Sequence, residues 1–305
     1  MNTQTKNSLL LLLCSLIWGT AFVAQSAGSG MGAYSFLAGR SWLAVLVLIP
    51  TVMVFDAIRR KSGTDAKPKT AAEKKKLLAA GFVCGTLLFA ASAAQQIGIT
   101  INPSTAKAGF LTAMYVVLVP VFGLLFKRKV SLPVWVAVAL SVAALYLLCI
   151  KGSFRLAAGD LLVLVCAVCF AVHILVIDRF SATCDGVKLS CVQFLFAALW
   201  SGVCIPFFEH VDAAALLSCA LPLLYVGVFS CGVGYTLQIL AQKGSNPTVV
   251  TILLSLESVF AVIAGAIILH QSMTPREYLG CMLMFLAVIL AQVPLPAKAA
   301  RAESK

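Results

Sequence analysis

Asn102-Pro103-Ser104-Thr105 opens one long apolar segment, and Asn246-Pro247-Thr248 opens another 144 residues later, close to half of the 305-residue chain. Read outward from this pair, the chain holds five hydrophobic segments followed by five more. An odd number of membrane crossings in each half makes the halves antiparallel. Such an inverted repeat is a common plan for a carrier, because one pattern can build both an inward-facing and an outward-facing gate.

Apolar residues make up 61% of the chain and charged residues 11%, where a soluble domain carries roughly 25% charged residues. So few charges cannot cover a water-facing surface. A membrane-spanning helix needs about 20 mostly apolar residues. Ten stretches qualify: 8–27, 33–55, 77–100, 103–126, 132–150, 159–177, 188–208, 214–240, 247–269 and 276–294. The longest connection, 56–76, leaves no room for a soluble domain. The fold class is therefore all-α integral membrane: ten transmembrane helices as two inverted five-helix repeats, 1–150 and 151–305. A membrane β-barrel would alternate apolar and polar residues, and Leu9-Leu10-Leu11-Leu12-Leu13 does not alternate.

A net charge of +12 invites a nucleic-acid reading, but the positions of the cations argue against it. With the N-terminus inside, 18 of the 23 Lys and Arg fall in cytoplasmic segments and three, Lys151, Arg155 and Arg276, on the other side. Arg40 and Lys107 lie within apolar segments. This asymmetry predicts a multi-pass protein of the plasma (inner) membrane with both termini in the cytoplasm. The basic loop 59–76 is expected to touch anionic lipid headgroups, and no nucleic-acid-reading element accompanies the charge. Most of the 11 cysteines sit in apolar segments, where they act as small hydrophobes, so no disulfide framework is expected. Residues 1–27 resemble a signal peptide in part, but the nine segments that follow make a retained first helix the better reading.

Polar groups in lipid are costly, so each is a site candidate. Glu257, near the middle of the ninth segment, is the only acid deep in any of them. It suits a proton carrier or a counter-charge for an amine; a structural, hydrogen-bonded carboxyl is the alternative. Arg40 and Lys107 lie at one depth, about 8–11 Å from helix starts that face outside. They suit a substrate carboxylate or phosphate, an outer gate, snorkelling to the interface, or an ion pair with Glu257. Trp18-Gly19 in the first segment pairs a stacking surface with a point of close helix approach. Gln95 and Gln96, Tyr115, His173, Gln193, Tyr235 and Gln238 are expected along a pathway or in interhelical hydrogen bonds.

Cys166, Cys169 and His173 share a helix face, but no fourth soft-metal ligand is evident, so neither a metal nor another cofactor is expected. Gly28-Ser29-Gly30-Met31-Gly32 links two apolar segments and so fails as a phosphate cradle. Val47-Leu48-Ile49-Pro50 and Val203-Cys204-Ile205-Pro206 occupy matching places in the second segment of each half, which supports the repeat.

In this order the motifs resemble the drug/metabolite transporter superfamily, EamA-like branch. Ile17-Trp18-Gly19-Thr20-Ala21-Phe22 is similar to the family's opening Trp-Gly-x-x-Phe. Gln95-Gln96-Ile97-Gly98-Ile99, then Ala108-Gly109-Phe110-Leu111-Thr112 through Pro120, resemble its third and fourth helices. Gly159-Asp160-Leu161-Leu162 resembles the start of its sixth, and Leu256-Glu257-Ser258-Val259-Phe260-Ala261 its Leu-Glu-Pro-Val-Phe-Ala. Ser258 stands in place of that proline and keeps a backbone donor. The usual Gly-Glu after helices four and nine is replaced by Phe126-Lys127-Arg128 and Leu269-His270-Gln271.

The resemblance implies a ten-helix basket that moves small metabolites without ATP, often amino acids or their derivatives and commonly out of the cell. The expected partners are a small-molecule substrate, the lipid bilayer and, through peripheral helices five and ten, a homodimer mate. The alternatives are an exchanger for phosphorylated or nucleotide-linked sugars, a channel, or a non-transport membrane protein. An enzyme would need a nucleophile–base pair or paired acids, which the segments lack.

Overall fold

The computed structural model describes residues 2–62, 70–101, 105–125, 127, 129–150, 152, 156–210, 213–268 and 272–292. Of the residues singled out above, Asn102, Pro103, Ser104, Phe126, Arg128, Leu269, His270 and Gln271 lie outside that set. So do Lys151 and Arg155 and, of the cations counted as cytoplasmic, Lys67, Lys69, Lys298, Arg301 and Lys305.

The chain is helical. Its long elements are α1 (Thr3–Ala27), α2 (Ala33–Lys61) and α3 (Ala71–Ile101). α4 runs in two pieces, Thr105–Thr112 and Tyr115–Leu125. α5 (Leu132–Cys149), α6 (Ala158–Ser181) and α7 (Gly186–Phe208) follow. A short helix, Ala213–Ser218, leads into α8 (Ala220–Gln242). α9 is again in two pieces, Pro247–Leu254 and Leu256–Ile268, and α10 spans Pro275–Ala291. Among the described residues, nine of these are long and apolar enough to cross a bilayer, and α10, at 17 residues, completes ten. Helices satisfy every backbone group within the segment, which lipid cannot do.

Several starts carry local chemistry. The Asn246 side chain accepts from Thr248 N at 2.9 Å and Pro247 fills the first helical position, so the opener works as a cap for α9. Thr274 and Glu277 cap each other's backbone at the start of α10. Asp185 accepts from Lys188 N at 3.0 Å at the start of α7. α2 has Gly32 at this position and borrows its cap from the far end of α7. There the Glu209 carboxylate accepts from Tyr34 N at 2.8 Å and Ser35 N at 2.9 Å. At the other end of the same pair, Arg59 bonds Asp185, and Lys188 meets Asp56 at 2.6 Å. α2 and α7 are thus joined at both ends.

α2 and α3 outrun their apolar stretches. α2 continues through Arg59 and Arg60 to Lys61, and α3 starts at Ala71 rather than 77. Charged turns outside the hydrocarbon remain helical, and hydropathy cannot see them. α8 is not uniform either: Val226–Gly234 is a π-helical stretch, a form that is rare and common at functional sites.

Most of the closest packing is retained when each helix of one half is exchanged for its counterpart in the other, although the contacts of α6 with α8 and of α5 with α9 are not matched by equal contacts of α1 with α3 or of α10 with α4. α2 packs on α7 and α5 on α10; α1 packs on α8 and α9 as α6 packs on α3 and α4. α2 meets α8 as α7 meets α3. Small residues permit these approaches, because lipid gives apolar helices no reason to associate beyond close packing. An added Cβ at Gly19 of α1 would lie 2.6 Å from Glu257 O of α9, and one at Gly85 of α3 would lie 2.4 Å from Gln193 O of α7. The outward surfaces carry large apolar side chains such as Met53, Leu125 and Ile289, each more than 60% exposed, as a lipid-facing surface requires.

The paired interruptions organise the centre. α4 breaks at Ala113–Met114 and α9 at Ser255, the fourth helix of each half. The α9 break forms although Ser258 stands where the family has proline. Ser258 N bonds Ser255 O at 3.2 Å in a tightened turn.

Candidate substrate cavity

α1, α2, α3, α4, α6, α8 and α9 converge on one open cavity. α1 presents Trp18, Phe22 and Gln25, one face of a helix at i, i+4 and i+7. α8 presents Ser230 and Tyr235, which its i→i+5 turn brings to the same side, with Cys231 and Gln238. The Trp18 and Tyr235 rings lie 4.7 Å apart, and Trp18 Nε1 donates to Ser230 O at 3.2 Å. An aromatic corner therefore joins α1 to the π-helical stretch. α6 adds Phe170 and Ile174, and α9 adds Leu254.

Two groups able to carry opposite charges face this space. Glu257 sits just after the α9 break and accepts from Tyr115 Oη, just after the α4 break, at 3.0 Å. Both are buried, so the hydrogen bond joins the interruptions of the two halves. Arg40 of α2 is 8% exposed, with its guanidinium 5.9 Å from the centre of the Phe36 ring. It makes no hydrogen bond or ion pair with any described residue.

Gln95 Nε2 donates to Thr112 Oγ1 at 3.0 Å. Gln95 of α3 and Gln238 of α8 are 143 residues apart, close to the spacing of the two openers, and both line the cavity. Gln25 Oε1 and Gln238 Oε1 are buried without a partner among the described residues. Arg40, Cys231 and Tyr235 also bound a narrow side chamber, walled by Leu37, Leu88, Phe194 and Ala197 with Ser41, Ser92 and Ser201.

Of the residues singled out in the sequence, Trp18, Arg40, Gln95, Tyr115, Tyr235, Gln238 and Glu257 line this one cavity. Five others stand off it. Gly19 is the contact point of α1 with α9. Gln96 is buried on a different face of α3 from Gln95. Lys107 is paired with Asp160 across α4 and α6. His173 Nε2 and Gln193 Oε1, 3.2 Å apart, link α6 to α7, with the imidazole behind the Tyr235 ring. Phe22, Gln25, Thr112, Phe170, Ile174, Ser230, Cys231 and Leu254 line the cavity without having been singled out. Phe22 and Gln25 could have been found as the continuation of the Trp18 face. Among the described residues, no three His, Cys, Asp or Glu side chains meet as metal ligands.

The wall can hold a small polar molecule with an apolar body: a cation, a carboxyl, aromatic faces and unmet amide oxygens surround one space. A model described as the EamA-like transporter family matches residues 5–150 and 157–292, one match to each five-helix half. An uncharacterized transporter from Archaeoglobus fulgidus is 29% identical over 294 residues, covering 93% of this chain and 84% of that protein. A solved structure described only as the crystal structure of a protein has a TM-score of 0.75 at 17% identity, over 99% of both chains, a likeness of fold alone. With two family matches that together span nearly all ten helices and meet across the cavity, this chain belongs to the EamA-like transporter family.

Proposed function

We propose that the protein is a secondary active carrier that exports small metabolites, such as amino acids or their derivatives, by alternating access. The halves 1–150 and 151–305 rock about the central cavity, in a plasma (inner) membrane with both termini in the cytoplasm. Arg40 holds an acidic group of the substrate, and Glu257 carries the coupling proton or faces an amine. The aromatic corner of Trp18 and Tyr235 packs on the apolar body. α5 and α10, which pack on each other and, among the described residues, add none to the cavity lining, are peripheral and supply the homodimer contact.

The observation that carries this reading is that Arg40 and Glu257 line one cavity, with Glu257 hydrogen-bonded across the two helix breaks. A charge within a bilayer costs about 2.5–3.5 kcal/mol on insertion scales, and such residues mark pathways. The test is counterflow of a pooled amino-acid and metabolite mixture into proteoliposomes, with and without an imposed pH gradient. Saturable accumulation that the gradient enhances, with the enhancement lost in Glu257→Gln, supports the reading. A Glu257→Gln protein with unchanged uptake and unchanged pH response removes its coupling role. Passage insensitive to substrate on the trans side makes the protein a channel.

A further inference from the structure

We propose that the cavity selects monocarboxylates: Arg40 grips the carboxylate of the ligand, and a ligand amino group is dispensable. The inference rests on the transport reading above and specifies its substrate. Arg40 is 8% exposed, lies in the wall shared by the central cavity and the side chamber, and has no anionic partner among the described residues. Around it stand the Phe36 ring, Cys231, Tyr235, apolar side chains such as Leu37 and Phe194, and the hydroxyls of Ser41, Ser92 and Ser201, none of them anionic. A guanidinium so enclosed calls for a counter-charge, and its fork matches a carboxylate.

The described acids near the pathway are engaged elsewhere. Asp160 pairs with Lys107, Asp185 with Arg59 and Asp56 with Lys188, while Glu209 caps α2. Glu257, the acid on the cavity wall, already has the Tyr115 hydroxyl. Glu257 thus has one hydrogen-bond donor, whereas Arg40 has no hydrogen-bond or ion-pair partner among the described residues. One cation balances one negative charge. Lys107, the other intramembrane cation, is committed to Asp160, so a phosphate dianion would remain under-compensated in low dielectric.

The test is counterflow into liposomes holding the full-length protein, with four radiolabelled probes. These are neutral L-amino acids, the 2-oxo acids of the same skeletons, the corresponding amino-acid amides, and glucose 6-phosphate. Amino acids and 2-oxo acids are expected to accumulate. The amides lack the carboxylate and should move about ten- to a hundredfold more slowly, the range for losing a hydrogen bond to a charged group. Glucose 6-phosphate should stay out. Arg40→Gln abolishes uptake of both acids, and Arg40→Lys keeps the charge but loses the fork and retains a fraction. Because the probe series uses the unaltered protein, it does not depend on how the variants fold. Amides moving as fast as amino acids, 2-oxo acids excluded while amino acids enter, or entry of glucose 6-phosphate each overturns the inference and leaves the transport reading standing. No accumulation of any probe overturns both.

Discussion

Gly19→Ala should damage the protein through a contact measurable in the structure. The new methyl would lie 2.6 Å from Glu257 O and from Phe260 Cβ, and 2.9 Å from Ala261 N. Two of these are backbone atoms and the third is a Cβ, so no side-chain rotation relieves them. Comfortable contact is about 3.5–4.0 Å between carbons, so α1 and α9 must part by roughly 1 Å. Overpacking of this kind costs about 1–3 kcal/mol, offset in part by the roughly 1 kcal/mol that alanine gains over glycine within a helix.

Gly202→Ala is the matched control, because a Cβ there meets nothing within 4 Å and only the helix gain applies. Thermal unfolding of both variants in one detergent should place Gly19→Ala below wild type and Gly202→Ala at or above it. The moving atom is the carbonyl of Glu257 itself, so the same displacement disturbs its 3.0 Å bond to Tyr115. Misplacement of about 1 Å can cost a hundredfold in rate, and counterflow should fall further than the melting point suggests. If Gly19→Ala melts with Gly202→Ala, the close approach of α1 and α9 is refuted.

Tyr115→Phe leaves the buried Glu257 without its donor and should cost about 1–3 kcal/mol of stability; an unchanged melting curve contradicts the bond between the helix breaks. Lys107→Met removes the cation paired with Asp160, whose side chain is 4% exposed and also accepts from Ala157 N. The loss should fall between the roughly 1 kcal/mol of an exposed pair and the roughly 3 kcal/mol at which buried pairs begin. Stability should return in part in Lys107→Met/Asp160→Leu, and preference among the transport probes should not change. Glu209→Ala should destabilise by about 1 kcal/mol, the worth of a helix cap, and amide exchange at Tyr34 and Ser35 should rise, which a cap made elsewhere would not allow.

The ten helices were legible because lipid imposes one rule on every segment, and a long apolar run can obey it only as a helix. Their true ends were not. Arg59, Arg60 and the turns before residue 77 lie past the hydrocarbon, where a charged helix costs nothing and hydropathy falls silent. The interruptions were hidden as well: Ala113, Met114 and Ser255 are ordinary helix residues, and the π-helical stretch of α8 carries no proline. In the cavity, Glu257, Arg40 and Gln238 stood out because their polarity is expensive where they sit. Phe170, Ile174 and Leu254 did not, since an apolar side chain facing a cavity reads like one facing lipid. Ser230, Cys231 and Thr112 are small enough to vanish into helix background. Lys107 shows the converse: its partner Asp160 is 53 residues away, and no pattern along the chain distinguishes a paired cation from a waiting one.

The cap that Glu209 provides for α2 has a consequence for how the protein is made. Tyr34 and its acceptor are 175 residues apart in the chain. At roughly 5–20 residues per second, a ribosome takes about 10–35 s to cover that interval. For all that time Tyr34 N and Ser35 N of the first turn of α2 have been synthesised without the carboxylate that caps them. They must stay in water or headgroups until α7 arrives. α2 therefore cannot settle to its final depth alone, and the first half of the chain is finished as a structure only by the last residues of α7. Truncation after α5 should yield a fragment whose second helix is mispositioned, and supplying the second half as a separate chain should correct it.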